Sequence, residues 1–392
     1  MSEKNIKRLI GQVFNDIATG IETGGFGKKV RVGLTAFGSE HGTDNLVKGA
    51  EIAQNRDSSI EVVLIGPKVE SSLKQYNCDS EDEGYKLMEE LLDSGEIDAC
   101  VTMHYNFPIG VSTVGRVVTP AKGEEMTLAT TTGTTSPHRV EAMVLNAIAG
   151  IIAAKSMGNA NPTLGILNVD GARQVERALI DLKDGGYDIN FASSARADGG
   201  TVMRGNDLLQ GIPDVMVTDT LTGNLLMKVF SSYQTGGSFE AFGYGYGPGI
   251  GRGYNRIVLI VSRASGYPVI ANAIDYAAKS IRGGIKELVV SEYKKAEKAG
   301  LDKILKSFKQ ETKSASTEEV KAPDKEVCDA SIAGIDIMQL EDAVQELWKA
   351  GIYAESGMGC TGPIVMMSSA KLEKSKEVLA KAGYIVAEKK DC

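Results

Sequence analysis

The stretch Arg256–Ile274, RIVLIVSRASGYPVIANAI, predicts a buried strand, a short turn and a helix. The turn begins with Ser262 and Arg263, directly after the apolar run. Asp214–Lys228, DVMVTDTLTGNLLMK, repeats this layout, with a Thr-Gly-Asn turn between the strand pattern and the helix pattern. A strand that leads directly into a helix is the repeating unit of α/β proteins. These two segments therefore predict a strand–helix alternation.

The same alternation extends from Lys28 to about Ile304. Short apolar runs alternate with amphipathic stretches, which is typical of buried parallel strands with helices between them. The runs are KKVRVGLTAFG, IEVVLIG, DACVTMH, MTLATTT, TLGILNV, DVMVTDT and RIVLIVS. We predict an α/β core over residues 1–305, made of two lobes on an open, mostly parallel sheet. Ligands of such sheets bind beside the carboxyl ends of the strands, so the residues after each run matter most.

One glycine-rich segment interrupts the alternation. Gly243–Asn255, GYGYGPGIGRGYN, has a glycine at every second position. A dinucleotide-binding fingerprint has a different spacing and opens a helix after a strand. We interpret this segment as a loop ahead of the next strand, either one that covers a ligand or a flexible surface loop.

The C-terminal part of the chain has its own pattern. Residues 306–327 are polar and rich in Ser, Thr, Glu and Lys, which predicts a linker. Residues 328–392 predict a small α+β domain. Two similar segments, WKAGIY and AKAGYI, each end a helix at a glycine before a strand. The resulting order, strand-helix-strand-strand-helix-strand, is the ferredoxin-like arrangement.

Composition excludes several classes of function. The 392 residues are 42% hydrophobic and 24% charged, with a net charge of -8. This acidic balance argues against nucleic acid or an anionic membrane as a partner. No apolar run approaches the roughly 20 residues that span a bilayer, and we expect a cytoplasmic protein. The five cysteines are widely spaced without a C-x-x-C pair, which argues against a zinc site and against a disulfide framework. We also expect no other metal and no bound cofactor.

Two turns are candidate anion sites. Thr222, Gly223 and Asn224 follow a strand at a helix N-terminus, where backbone N–H groups attract phosphate. The alternative is an ordinary helix cap, which is a common use of Thr and Asn. Ser262 and Arg263 follow the other strand, and the planar guanidinium suits bidentate contacts with phosphate. The alternative there is a surface arginine paired with an acid.

A third candidate lies in Thr130–Ala142, TTTGTTSPHRVEA, where hydroxyl groups and a glycine precede a long apolar helix. Within it we assign Thr132, Gly133 and Thr134 to substrate or phosphate binding. His138 is either a general base or a neighbour of the helix cap.

Cys360 is the candidate nucleophile. It lies in Glu355–Met366, ESGMGCTGPIVM, where glycines surround it with exposed backbone N–H groups. Such groups lower a thiol pKa and bind the oxyanion of an attacked carbonyl, a role we assign to Gly359 and Thr361. The alternative is an inert, buried cysteine in a tight turn. GMGCTG also matches G-x-G-x-x-G, but Pro363 and a strand pattern follow instead of a helix.

The segment from Gly199 to Ile274 resembles the phosphate acyltransferases of phospholipid synthesis, the PlsX family. Those enzymes convert an acyl thioester and phosphate into an acyl phosphate. The SRAS turn is similar to the Ser-Arg turn of phosphate acetyltransferases, so the resemblance implies a core of the phosphotransacetylase type. Where the phospholipid enzymes tend to have His, this chain has Arg263, which favours a phosphate clamp over a transferred histidine role.

The whole chain, including GSEHG, TTTGTTSPHR and SGMGCTGP, resembles the alpha subunits of component C of glycine/sarcosine/betaine reductase complexes. The resemblance implies anaerobic amino-acid fermentation, a beta subunit and the selenoprotein component A as partners, and an oligomeric assembly. It also implies an acetyl thioester on Cys360 that inorganic phosphate, the substrate, cleaves to acetyl phosphate. Two other functions stay open: a non-catalytic scaffold subunit, and a stand-alone thioester:phosphate acyltransferase.

Overall fold

A computed structural model describes residues 29–197, 199–311, 320–335, 339–359 and 362–385, together with eight separate residues between 7 and 21. Within these residues, fifteen strands form two sheets. The strands are β1 Val30–Thr35, β2 Ile60–Gly66, β3 Lys74–Asn77, β4 Ala99–Thr102, β5 Val111–Val118, β6 Glu125–Thr134, β7 Thr163–Leu167, β8 Asn190–Phe191, β9 Val202–Met203, β10 Val215–Val217, β11 Gly247–Gly251, β12 Val258–Ile260, β13 Ala330–Ala333, β14 Ala354–Gly359 and β15 Gly362–Met367.

Eleven α-helices accompany these strands in the same described residues. They are α1 Thr43–Arg56, α2 Glu81–Asp93, α3 Arg139–Ser156, α4 Ala172–Asp184, α5 Gly205–Gln210, α6 Thr220–Ser232, α7 Tyr267–Arg282, α8 Ile285–Lys298, α9 Leu301–Glu311, α10 Leu340–Lys349 and α11 Leu372–Lys381. α9 continues to Glu311, so it includes the first residues of the predicted linker. No helix of the described segments is long and apolar enough to cross a membrane.

The large sheet confirms the predicted open, mostly parallel α/β core. Its strand order is β3-β2-β1-β4-β12-β11-β5-β6-β10-β7-β8, with β9 also paired to β7. Eight of its eleven strand pairings are parallel. Strands such as β1 and β2 are buried over nearly their whole length because helices cover both faces. α3 is apolar on almost all sides, so it is buried as the central helix of the core.

The three antiparallel pairings lie together at the centre of the sheet. β11 is antiparallel to both β12 and β5, and β5 is antiparallel to β6. The two parallel halves therefore run in opposite directions. The carboxyl end of β12 is next to the start of β11, whereas that of β6 is next to the end of β11. The residues after β12 and those after β6 consequently lie at opposite ends of the strands. Four residues of β11 separate them along the strand direction, which is roughly 13 Å.

The interpretation of Gly243–Asn255 as a loop is wrong for its central part. Gly247–Gly251 is β11, a fully buried strand at the centre of the sheet. The glycines are there because neighbouring groups approach too closely for a side chain. A Cβ at Gly247 would lie 1.7 Å from the Val114 carbonyl oxygen, and one at Gly249 would lie 2.3 Å from the Phe107 ring.

The C-terminal unit follows the predicted ferredoxin-like order through five of its six elements. β13, α10, β14, β15 and α11 succeed one another, and the antiparallel sheet has the order β13-β15-β14. The sixth element, a final strand, falls mostly beyond residue 385, outside the described residues. The unit has a core of its own, which includes Ile332, Leu347, Val365 and Leu379. Arg177 of α4 joins it to the large core by hydrogen bonds to the Gln339 side chain and the Tyr384 carbonyl, both 3.1 Å.

Candidate active site

The Ser262–Arg263 turn lies between β12 and α7 and is held by its own side chains. The Ser262 N–H donates to the Ser265 Oγ at 3.1 Å, and the Ala264 N–H donates to the Ser262 Oγ at 3.2 Å. The Ser265 hydroxyl in turn donates to the Glu240 carboxylate at 3.1 Å. These bonds fix the backbone of the turn while the Arg263 side chain extends out of it.

The Arg263 guanidinium is half exposed and lies 3.5 Å from a Glu81 carboxylate oxygen of α2. The Tyr85 hydroxyl donates to the same oxygen at 2.7 Å. Burial and this hydrogen bond raise the pKa of Tyr85, so its hydroxyl keeps its proton. In this state Arg263 is therefore paired with an acid. An exposed pair of this kind contributes at most about 1 kcal/mol, so an anionic ligand can displace Glu81.

A cluster that the sequence analysis did not single out lies beside the turn. The Glu240 side chain is only 4% exposed and accepts a hydrogen bond from the Tyr246 hydroxyl at 2.9 Å. The Lys228 ammonium lies 3.8 Å from the same carboxylate oxygen and 5.6 Å from the centre of the Tyr246 ring. Burial and Glu240 raise the pKa of Tyr246, and a hydrogen bond with Ser262 opposes this rise. The Tyr246 hydroxyl thus contacts Glu240, and Glu240 contacts the turn through the Ser265 hydroxyl.

The loop after β1 and the first turn of α1 also contact the Ser262–Arg263 turn. The Glu40 N–H donates to the Arg263 carbonyl at 2.9 Å, and the His41 Nε2 lies 3.2 Å from the Ala264 carbonyl oxygen. The Asn45 amide donates to the Ser265 carbonyl at 3.1 Å and accepts from the next helix at Tyr267. His41 therefore contacts backbone here rather than a nucleophile.

The Thr-Gly-Asn turn uses its groups differently. Asp219 caps α6: its carboxylate accepts the N–H groups of Leu221 and Thr222, both at 3.1 Å, and the Thr222 hydroxyl at 2.6 Å. The Asn224 amide donates to the Thr131 carbonyl at 3.0 Å. Thr222 and Asn224 therefore hold α6 in place, and the residue that caps this helix is Asp219.

Gly223 shows how close this contact between helix and strand is. A Cβ at Gly223 would lie 1.7 Å from the Thr130 carbonyl oxygen. α6 therefore rests directly on β6 at this point, and only glycine permits the contact.

Thr132, Gly133 and Thr134 end β6 and lie beside the first turn of α6. The Thr220 hydroxyl donates to the Gly133 carbonyl at 3.3 Å, and Thr132 pairs with β5. The structure thus brings this segment together with the Thr-Gly-Asn turn. Both lie at the opposite end of the strands from Ser262. The helix after this segment begins at Arg139, with His138 as its N-terminal cap residue. The His138 N–H donates to the Ser136 hydroxyl oxygen at 3.2 Å, so His138 occupies the cap position itself rather than a neighbouring one.

Cys360 and Thr361 lie outside the described residues. Gly359, the last residue of β14, pairs with Gly362 at the start of β15. The pKa of the thiol is raised at Cys78, Cys100 and Cys328, and burial is the largest cause at each of them. None of these three described cysteines is therefore activated as a thiolate. Among the described residues no group of three or more His, Cys, Asp or Glu side chains is placed to hold a metal ion.

The fold and this turn define the class: an open-sheet α/β protein with an arginine at a strand's carboxyl end. The chain belongs to the family described as fatty acid synthesis protein, whose model matches residues 30–366. It is 63% identical over 382 residues to the glycine/sarcosine/betaine reductase complex component C subunit alpha of Peptoclostridium acidaminophilum. That similarity covers 97% of this chain and 99% of the relative.

More distant relatives share only part of the chain. The phosphate acyltransferase of Lysinibacillus sphaericus is 26% identical over 240 residues, which cover 51% of this chain and 70% of the relative. A solved branched-chain phosphotransacylase from Enterococcus faecalis aligns with a TM-score of 0.46 and 16% identity, covering 64% of this chain and 99% of that chain.

Proposed function

We propose that the chain is the acyl-carrying subunit of a glycine/sarcosine/betaine reductase complex. In this proposal Cys360 holds an acetyl group as a thioester, and inorganic phosphate takes that group to form acetyl phosphate. The observation that carries the proposal is the 63% identity with a component C alpha subunit, which extends over 97% of the chain. The phosphate acyltransferase relatives support transfer to phosphate by the core.

The transfer step breaks one bond and forms one bond. A phosphate oxygen attacks the thioester carbonyl, the new C–O bond forms, and the C–S bond breaks to release the Cys360 thiolate. Phosphate is a modest nucleophile, so it gains most from being held in place and desolvated. The half-exposed Arg263 guanidinium is the group we assign to this binding, after it leaves Glu81. Backbone N–H groups of Gly359 and Thr361 would stabilise the oxyanion.

We assign the carrier to the thiol of Cys360, which lies in the glycine-rich motif GMGCTG. The three described cysteines have raised pKa values, which disfavours the thiolate. Two hydrogen bonds from Arg177 link the small unit to the core. We infer that this unit carries the acetyl group between the phosphate site and the partners. We assign those partners as the beta subunit and the selenoprotein component A.

The test is Cys360→Ser in the assembled complex, with Cys328→Ser on the same small unit as the matched control. We expect loss of acetyl phosphate formation only in the Cys360 variant, with the complex intact by size-exclusion chromatography. Unchanged product in that variant would favour a scaffold subunit instead. Full activity of the isolated chain with an acyl thioester in solution would favour a stand-alone acyltransferase.

A further inference from the structure

Glu240 is a buried carboxylate that the proposed transfer does not yet use. Its residue is 3% exposed, and each carboxylate oxygen has a defined partner. One oxygen accepts the Tyr246 hydroxyl at 2.9 Å and lies 3.8 Å from the Lys228 ammonium. The other accepts the Ser265 hydroxyl at 3.1 Å. A buried carboxylate is destabilising unless other groups pair with it. Glu240 has partners on three different segments, which indicates that the fold is arranged around this carboxylate.

Glu240 also holds the Ser262–Arg263 turn through its backbone. Its N–H donates to the Ala264 carbonyl at 3.0 Å, and its carbonyl accepts the Gly266 N–H at 2.8 Å. The side chain reaches the same turn through Ser265, whose hydroxyl oxygen accepts the Ser262 N–H. Backbone and side chain of one residue therefore fix both ends of the turn.

The Lys228 side chain is exposed to solvent, whereas the Glu240 side chain is buried. Its side chain is 52% exposed, whereas that of Glu240 is 4% exposed. The lysine charge consequently faces solvent, while the carboxylate that orients it is screened by protein. One oxygen of the Glu240 carboxylate lies beside the Lys228 ammonium and the other accepts the Ser265 hydroxyl, so this carboxylate joins the lysine to the turn. Arg263, in contrast, points towards Glu81 on α2.

We propose that Lys228 is a second cation of the phosphate site, and that Glu240 is the positioning residue for both Lys228 and the Ser262–Arg263 turn. This inference rests on the proposed function. Lys228 belongs to α6 on one half of the large sheet, and Arg263 follows β12 on the other half. A dianion held between them receives one charge from each half. The Thr-Gly-Asn turn then matters because it sets where α6, and with it Lys228, lies against β6.

The alternative is that Glu240 and Lys228 are only a structural ion pair. Glu292 provides the comparison, since it is a buried carboxylate with lysine partners, Lys155 at 3.0 Å and Lys295 at 2.7 Å. It belongs to α8, and its partners in the described part of the chain, Lys155, Lys295 and Tyr187, lie outside the turn. Glu292→Gln is therefore the matched control for the loss of a buried acid.

The experiment measures single-turnover deacetylation of the Cys360 thioester at increasing inorganic phosphate, after loading the full chain with acetyl phosphate. We expect Lys228→Met to raise the half-saturating phosphate concentration roughly tenfold to a hundredfold. We expect Glu240→Gln to raise it roughly tenfold, because Lys228 and the turn lose their anchor. Lys228→Arg should recover most of the binding. Glu292→Gln should lower the melting temperature and leave the phosphate dependence unchanged.

The inference is overturned if Lys228→Met leaves the half-saturating phosphate concentration within twofold of the unmodified chain. It is also overturned if Glu240→Gln behaves like Glu292→Gln, with lower stability alone. If the unmodified chain never acquires an acetyl group at Cys360, the proposed function fails instead. Calorimetric titration with inorganic phosphate then still compares Lys228→Met with the unmodified chain, and equal affinities would overturn the inference separately.

Discussion

The Ser262–Arg263 turn and the Thr-Gly-Asn turn have the same layout in sequence but use their side chains in different ways. In the first, Ser262, Ser265 and Glu240 fix the backbone, and the Arg263 charge stays half exposed. In the second, the Asn224 side chain and the Asp219 cap hold α6 against the sheet. A strand-turn-helix unit in the sequence therefore predicts where a site lies. Whether its polar groups are available to a ligand is decided by their neighbours.

The largest expected effect tests the docking role of the second turn. Gly223→Ala places a Cβ against the Thr130 carbonyl oxygen, which cannot move without disturbing β6. We expect a loss of about 3 kcal/mol in the free energy of unfolding, measured by denaturant titration. Gly205→Ala is the control, because nothing lies within 4 Å of the added Cβ. Equal stability of the two variants would mean that α6 does not rest on β6 as described.

The next effect tests the binding role of the first turn. Arg263→Gln removes a half-exposed charge. Within the described residues this charge pairs with Glu81, and an exposed pair of this kind contributes little to stability. The half-saturating phosphate concentration should rise roughly tenfold to a hundredfold, with the melting temperature nearly unchanged. The reverse pattern, lower stability and the same phosphate dependence, would remove the distinction between the two turns.

A smaller effect is expected at the cap of α6. Asp219→Ala leaves the N–H groups of Leu221 and Thr222 without their acceptor, so unfolding should become easier by about 1 kcal/mol. Asp170→Ala, which removes only an exposed partner of Arg139, serves for comparison and should change stability much less. A marked loss of phosphate binding with unchanged stability would assign Asp219 to the ligand site instead.

The smallest effect concerns the acid that competes for Arg263. Glu81→Gln weakens the 3.5 Å ion pair, so phosphate should bind up to about fivefold more tightly. Glu96→Gln, which breaks an exposed pair of the same length with Lys74, should leave phosphate binding unchanged. Weaker phosphate binding after Glu81→Gln would show that Glu81 orients Arg263 rather than competing for it.

Much of the fold could be predicted because it depends on local apolar patterns. Runs such as IEVVLIG predicted strands correctly, since parallel strands are buried on both faces. The reversal at the centre of the sheet could not be predicted, because β11 consists mostly of glycine and carries no apolar pattern. Its signal was the regular spacing of glycines, which reports close backbone contact and is easily taken for a loop.

Arg263 of the candidate site could be predicted, because a side chain that suits phosphate comes shortly after a strand in the sequence. Glu240 and Tyr246 were missed because their role arises from contacts between distant segments. Glu240 reaches Ser265 across 25 positions, and Tyr246 lies inside the glycine run that predicted a loop. The only sequence signal for Glu240 was an acidic residue within an otherwise apolar and glycine-rich stretch.

The most direct test of the central claim follows labelled acetyl on the peptide that contains Cys360. The full chain is loaded with isotope-labelled acetyl phosphate, freed of excess reagent, and then mixed with unlabelled inorganic phosphate. We expect mass spectrometry to find the label on Cys360 before mixing and in newly formed acetyl phosphate afterwards. Label that never appears on this peptide, or that stays there when phosphate is added, would contradict it.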